Sequence, residues 1–395
     1  MASKAAILIG ARGLRAFGDG FTAPLLPIYL VSLGFDAFEV GVLITATLMG
    51  SAVLTLLVGH WGHRIAAKQA LLACCGLMLA TGVAFSQFHD FWPLVVVGFL
   101  GTLNPSGGDV SVFLPIEQAL LAQSETLHRR TTLFALYSLA GVLLAAFGAL
   151  GLAGLEPLAA LTDAAMTPLM SAGFAFYGCL ALVALALYAR LPPASVDVAP
   201  QTSLGPSRRR VLILAALFSL DAFGGGFLVQ SLLALWLVRS FDLSLATTGS
   251  LFFCWGLLAA VSQLAAPPLS RRIGLIGTMV FTHIPANLSL IAAAFAPSTG
   301  WALGLLSLRA LLSSMDVPAR TSFVMAVVTP AERSAAAAVT NIPRSLAAAA
   351  SPSLAGALLA VTLFGWPLVI RGGLGIVYDL VLWRMFRTLK PLDDQ

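Results

Sequence analysis

A chain of 395 residues that is 59% hydrophobic and 10% charged would expose too much apolar surface in water, where about a quarter of a domain's residues carry charge. That excludes an ordinary soluble protein and points to the bilayer, where spans of about 20 apolar residues leave room for about twelve helices. The net charge of +5 does not imply a nucleic-acid partner, because the basic residues gather beside alternate loops, which is a topology signal.

In chain order, apolar runs predict spans over residues 10–33, 40–59, 68–87, 92–122, 131–153, 168–190, 210–238, 245–266, 275–296, 300–328, 335–361 and 366–388. The chain enters its first span with Arg12, Arg15 and Asp19 and shows no small-residue cleavage site, so this segment reads as a membrane helix and not a removable signal. Lys4, Arg64, Lys68, Arg129, Arg130, Arg190, Arg208 to Arg210, Arg271, Arg272, Arg333, Arg384, Arg387 and Lys390 fall in or beside alternate loops and the termini. The opposite loops hold Asp36, Glu39, Asp90, Glu156, Asp163 and Asp242, so both termini are expected in the cytoplasm. Trp92, Trp236, Trp301 and Trp366 are expected at outer span ends. Cys74, Cys75, Cys179 and Cys254 lie in apolar helices and read as packing residues. One linker, 191–209, is rich in Pro and Arg and separates two halves, 1–190 and 210–395.

Those halves repeat one another. Ala16, Phe17, Gly18, Gly20, Phe21, Phe35 and Asp36 recur 206 positions later as Ala222, Phe223, Gly224, Gly226, Phe227, Phe241 and Asp242. Arg64 then meets Arg272 at 208, and Asp109, Glu125 and Ser138 meet Asp316, Glu332 and Ser345 at 207. Matched Asp, Glu, Phe and Arg residues are hard to attribute to apolar composition, and a parallel repeat of six spans is a transporter pattern.

Six plus six spans, a cytoplasmic central loop and a basic turn after the second span of each half resemble the major facilitator superfamily. Its loop signature, GxxxD[R/K]xG[R/K][R/K], is met here by Gly59, Arg64 and Lys68, with His63 for the Asp and Ala66 for the second Gly. The second half keeps Arg272 and Gly274 but again lacks the Asp. The resemblance implies an all-α membrane protein with twelve transmembrane helices, arranged as two pseudo-symmetric six-helix bundles around a central cavity lined by the first, fourth, seventh and tenth spans. The Arg common in the fourth span of proton-driven members is absent, since Thr102 stands at the position equivalent to Arg309.

Ionisable groups at bilayer depth cost about 2.5–3.5 kcal/mol each on insertion scales, so they mark partners or wet cavities. Arg12, Arg15 and Asp19 share one face of the first span, and Arg309, Asp316 and Arg320 stripe the tenth. Residues 104–109 (Asn104 to Asp109) and 313–318 interrupt the fourth and tenth spans at equivalent places, and paired breaks point to a binding site. Asp19, Asp109, Arg309, Asp316, Arg15 and Asn104 are therefore candidates for a substrate or proton site. Arg12, Arg64, Asp221, Arg320 and Arg344 are candidates for gating or cytoplasmic ion pairs. Glu117 reads as solvated or loop-pairing, and Asp379 has only Arg371 on its own stripe.

The expected function is secondary transport of a small organic solute by alternating access, with protons as the coupling partner, export as the direction and a bacterial inner membrane as the location. The alternatives are a proton-independent facilitator, an anion transporter organised around the arginines, and a lipid flippase using them on a phosphate headgroup. A monomer among membrane lipids, without cofactor or metal, completes the expectation. No nucleotide loop, HExxH or GxSxG occurs, and His60, His63, His89, His128 and His283 are not spaced as a metal set, which argues against an enzyme.

Overall fold

In the computed structural model, residues 4–61, 65–107, 111–123, 127–192, 205–329 and 332–387 are described, and they form helices and turns with no strand among them. The first three spans are α1 (Lys4–Ser32), α2 (Ala37–Trp61) and α3 (Ala67–Gln87). The fourth is broken into α4 (Phe91–Leu100) and α5 (Phe113–Gln123), the fifth is α6 (Leu127–Gly151) continued by α7 (Leu155–Thr162), and the sixth is α8 (Met166–Ala189). The seventh is broken into α9 (Arg208–Gly226) and α10 (Gln230–Phe241). One long element, α11 (Leu245–Ala294), holds the eighth and ninth spans, divided at Gly274 by its φ of 78°. The tenth is α12 (Thr299–Ser313) with α13 (Asp316–Ala326), the eleventh α14 (Arg333–Ala350) with α15 (Pro352–Val361), and the twelfth α16 (Trp366–Phe386).

Nine helical stretches among the described residues are long and apolar enough to cross a bilayer. Charges dilute the apolar run of α1, and the fourth span is split into two short pieces. Nearly every residue of α1 from Ala11 to Pro27 is buried, so its polar groups meet other side chains and not lipid, and in the fourth span it is the break at 101–105 that is mostly buried, while the apolar α4 is largely exposed.

The breaks have local causes. Pro105 lacks an N–H and disfavours helix at Asn104, whose Oδ1 accepts hydrogen bonds from Ser106 N (3.2 Å) and Ser106 Oγ (2.6 Å) in an Asx turn. Gly107 then takes φ 64°. In the seventh span three consecutive glycines, Gly224 to Gly226, end α9, and extended Val229 starts α10. Pro318 and Pro352 sit in the first turns of α13 and α15, where a missing N–H costs nothing.

The chain divides into two compact units, residues 1–198 with 229–256, and residues 199–228 with 257–395. In the first, α1 packs on α6 and α8, α3 on α8, α2 on α4, and α10 on α1. Ser231, at the start of α10, donates from its hydroxyl to the Ala23 carbonyl and from its N–H to Pro105 O (3.1 Å), which fastens the break of the fourth span to α1. In the second, α9 packs on α14 and α16 over a core that includes Phe218, Met279, Phe323, Tyr378 and Phe386.

The repeat is visible in backbone contacts. A Cβ on Gly20 would lie 1.9 Å from the Ala145 carbonyl oxygen, and one on the aligned Gly226 would lie 2.2 Å from the Ala348 carbonyl oxygen. Small residues allow this approach, which replaces the hydrophobic drive that helices lack in lipid.

One expectation needs correction. Cys74 and Cys75 are buried, but Cys179 and Cys254 are exposed. Of the four Trp residues expected at outer span ends, Trp236 is 3% exposed and packs edge-on to Phe241, whereas Trp92, Trp301 and Trp366 are exposed.

Candidate functional site

In the first unit, the Arg15 guanidinium forms an ion pair with Glu117 of α5. Tyr137 of α6 and Tyr188 of α8 donate their hydroxyls to the same carboxylate, and Arg15 also donates to Tyr188 Oη (3.2 Å) and Ser111 Oγ (3.3 Å). The guanidinium carbon lies 3.9 Å from the centre of the Phe113 ring. Glu117 is fully buried, so the reading of it as a solvated group is wrong. A carboxylate out of water needs a cation and donors, and all of them are here. Arg12 lies 5.5 Å over the Tyr137 ring and against Gly141, where a side chain would strike its guanidinium.

Asp19, one turn deeper than Arg15 on the same face, has different company. It is 7% exposed and within hydrogen-bonding reach of Asn104 in the broken fourth span and of Tyr177 on α8. Tyr177 in turn donates to the Thr102 carbonyl (3.1 Å), with the Thr102 hydroxyl 3.2 Å away. Among the described residues Asp19 forms no ion pair, because the nearby Arg15 is held by Glu117.

In the second unit, Arg320 lies 3.3 Å from Asp221 and 3.5 Å from Asp316, one turn back on its own helix. Asp221 is shared: Arg371 of α16 approaches its other oxygen at 3.0 Å, without hydrogen-bond alignment. Arg344 of α14 faces Arg320, Asp221 and Asp316. His283 Nδ1 lies 3.0 Å from Asp379 Oδ1, and Asn287 donates to Asp379 Oδ2 (3.4 Å), which gives Asp379 the partners that its own stripe lacked. Arg309 of α12 is half-buried, another cation, Arg371, lies within electrostatic range, and among the described residues no carboxylate pairs with it.

Arg12, Arg15, Asp19 and Asn104 thus come together in one unit, and Asp221, Arg309, Asp316, Arg320 and Arg344 in the other. Asp109 and Arg64 lie outside the described residues. Sequence reading missed the tyrosines 137, 177 and 188, which look like core aromatics until a carboxylate is known to face them. It also missed His283 with Asn287, whose i,i+4 spacing in an apolar span was the available signal.

Two contacts tie down helix ends. Lys68, the last basic residue of the loop signature, donates to Ala189 O (2.6 Å) and Leu191 O (2.8 Å) and so caps α8. Glu332, ahead of α14, accepts hydrogen bonds from Thr329 Oγ1 (2.7 Å) and from the N–H groups of Gly205 (2.5 Å) and Ser207 (3.4 Å). These bonds, led by Thr329 and Ser207, hold its carboxyl at about 2.

Comparison with known proteins gives the same architecture. An uncharacterized membrane protein of Saccharomyces cerevisiae is 24% identical, over 94% of this chain and 92% of its own. The nucleoside transporter NupG superposes with a TM-score of 0.73 at 14% identity, covering 98% of this chain and 100% of that one. The xylose transporter XylE from E. coli gives 0.73 at 15% identity, covering 98% and 97%. The human organic anion transporter MFSD10 gives 0.65 at 17% identity, covering 97% and 100%. The profile of the Major Facilitator Superfamily matches residues 8–352. The chain belongs to the Major Facilitator Superfamily, and it is a multi-pass membrane transporter, not an enzyme.

Proposed function

We propose that this secondary transporter moves a small organic solute by alternating access of the repeats 1–190 and 210–395, linked through 191–209, and that a proton on Asp19 drives it. The observation that carries this reading is the division of labour on α1. Arg15 is held by Glu117, which leaves Asp19 buried beside Asn104 and Tyr177, with Arg15 and Arg12 near but not paired to it, and able to exchange a proton as its surroundings change. Motion that brought Arg15 or Arg12 onto Asp19 would expel that proton, and motion that withdrew them would favour its return. Asp221 with Arg320, Asp316 and Arg344 serve as gating pairs near the cytoplasmic end of one unit, and Arg12 and Arg64 each serve in a gating or cytoplasmic ion pair in the other. Export across a bacterial inner membrane, with both termini inside and the protein acting as a monomer among lipids, follows by analogy with short members that have minimal loops.

Arg309 favours one refinement, that the solute carries an anionic group. A guanidinium stays charged at any depth, and this one has no carboxylate among the described residues to neutralise it. A thermal-shift screen of metabolites on purified protein at two pH values identifies the solute, since ligand stabilises by mass action. Its flux is then followed in everted vesicles with the proton gradient intact and after dissipation. Gradient-dependent accumulation of an anionic solute supports the proposal, and unchanged flux after dissipation makes the protein a facilitator.

A further inference from the structure

The second unit contains a titratable group that the proposed mechanism does not use. His283, 4% exposed, is held between two side chains of α16. Its Nδ1 lies 3.0 Å from Asp379 Oδ1, and its Nε2 lies 3.2 Å from Arg371 Nη2. Arginine can only donate. The contact with Arg371 therefore makes Nε2 the acceptor, and the ring proton sits on Nδ1, donated to Asp379. A neutral ring thus aims its Nε2 lone pair at a guanidinium.

We propose that His283 Nε2 is a second proton-binding site, and that filling it hands Arg371 to Asp221. A proton arriving from water forms a new N–H at Nε2 and consumes the lone pair that Arg371 uses. Two donors then face each other at 3.2 Å, and the guanidinium must turn away. A place for it is ready: Arg371 Nη1 and Asp221 Oδ1 are already 3.0 Å apart, yet neither has an aligned hydrogen bond. The new imidazolium keeps Asp379 as its counter-ion. Asp221 now takes Arg371 fully and loosens Arg320, which retains Asp316 at 3.5 Å. Protonation on the ninth span is thereby passed through α16 to the pair that joins the seventh and tenth.

The other groups facing the ring fit this scheme. Tyr378 of α16 stands edge-on with its ring centre 6.2 Å away, and Asn287 occupies the second oxygen of Asp379. Asp221 of α9 and Asp316 of α13 are the other charged groups within electrostatic range of the ring. The site stands whether or not Asp19 couples transport.

The test reads the ring itself. Full-length protein is labelled with 15N-histidine in detergent, the His283 signal is assigned by its loss in His283→Gln, and spectra are taken across mildly alkaline to mildly acidic pH. The expected result is a neutral ring protonated at Nδ1 that converts to imidazolium on acidification. In Arg371→Met the imidazolium-to-neutral ratio at a fixed pH should rise about tenfold, equivalent to one pH unit. Should that variant not fold, Asp379→Asn must lower the ratio instead. A neutral ring protonated at Nε2, a ring charged at every pH, or ratios indifferent to the folded variants overturns the proposal. Flux is not read, so failure here leaves the Asp19 mechanism untouched.

Discussion

In the unit that holds α1, the buried link between the first and fourth spans runs from Arg15 to Glu117, whereas in the unit that holds α9 the link between the seventh and tenth runs from Asp221 to Arg320. Arg15 and Asp221 occupy aligned positions in the repeat with opposite charges. What the two halves keep is a paired charge at that depth, not its sign. Deeper positions diverge in a complementary way: Asp19 aligns with Gly225, and Thr102 aligns with Arg309. Among the described residues, the deeper position of the first unit thus carries an acid without an ion pair, Asp19, and that of the second a base without one, Arg309. A duplicated bundle becomes asymmetric by moving charge between equivalent sites, which leaves the helix packing intact.

The largest effect is expected where that link has no reserve. Arg15→Met leaves Glu117 buried without a cation, and breaking such a pair costs about 3–5 kcal/mol in thermal unfolding in detergent. The double variant Arg15→Met with Glu117→Leu should recover most of the loss, because an apolar pair of similar volume restores a satisfied interior. Arg320→Met should cost less, about 1.5–3 kcal/mol, since Asp221 keeps Arg371. Equal losses in the two units would show that the shared acid confers no redundancy. Gly20→Val and Gly226→Val sharpen the likeness instead. Each forces a side chain against a carbonyl at the same helix crossing, and the two should lose similar stability, about 1–3 kcal/mol.

The smallest effect lies ahead of α14 in the second unit. Hydrogen bonds lower the Glu332 carboxyl from 4.5 to about 2. A depressed carboxyl contributes stability that is complete above its unfolded value and is lost as pH falls toward its folded value. Glu332→Gln should therefore flatten only the part of the pH–stability curve between about 4.5 and 2. A difference from wild type whose pH dependence lies near neutrality would place its role elsewhere.

The twelve spans were legible because lipid demands long apolar runs, and the breaks of the fourth and tenth were legible because Pro105, Gly107 and Pro318 mark them locally, whereas the break of the seventh at Gly224 to Gly226 was read as continuous helix. Asp221 with Arg320 could be named as a pair because both lie on cavity-lining spans of the resembled family. Glu117 could not be placed, since its partners come from α1, α6 and α8, far away in sequence. Asp379 was opaque for the same reason: His283 and Asn287 are more than 90 residues away, and a lone His in an apolar span reads as core.

The central claim is that Asp19 carries the coupling proton, and the direct measurement is solute flux in everted vesicles bearing Asp19→Asn. The account predicts that the variant still exchanges solute across the membrane at equal concentrations but no longer accumulates it in response to a pH gradient. Accumulation driven as strongly as in the wild type would contradict it.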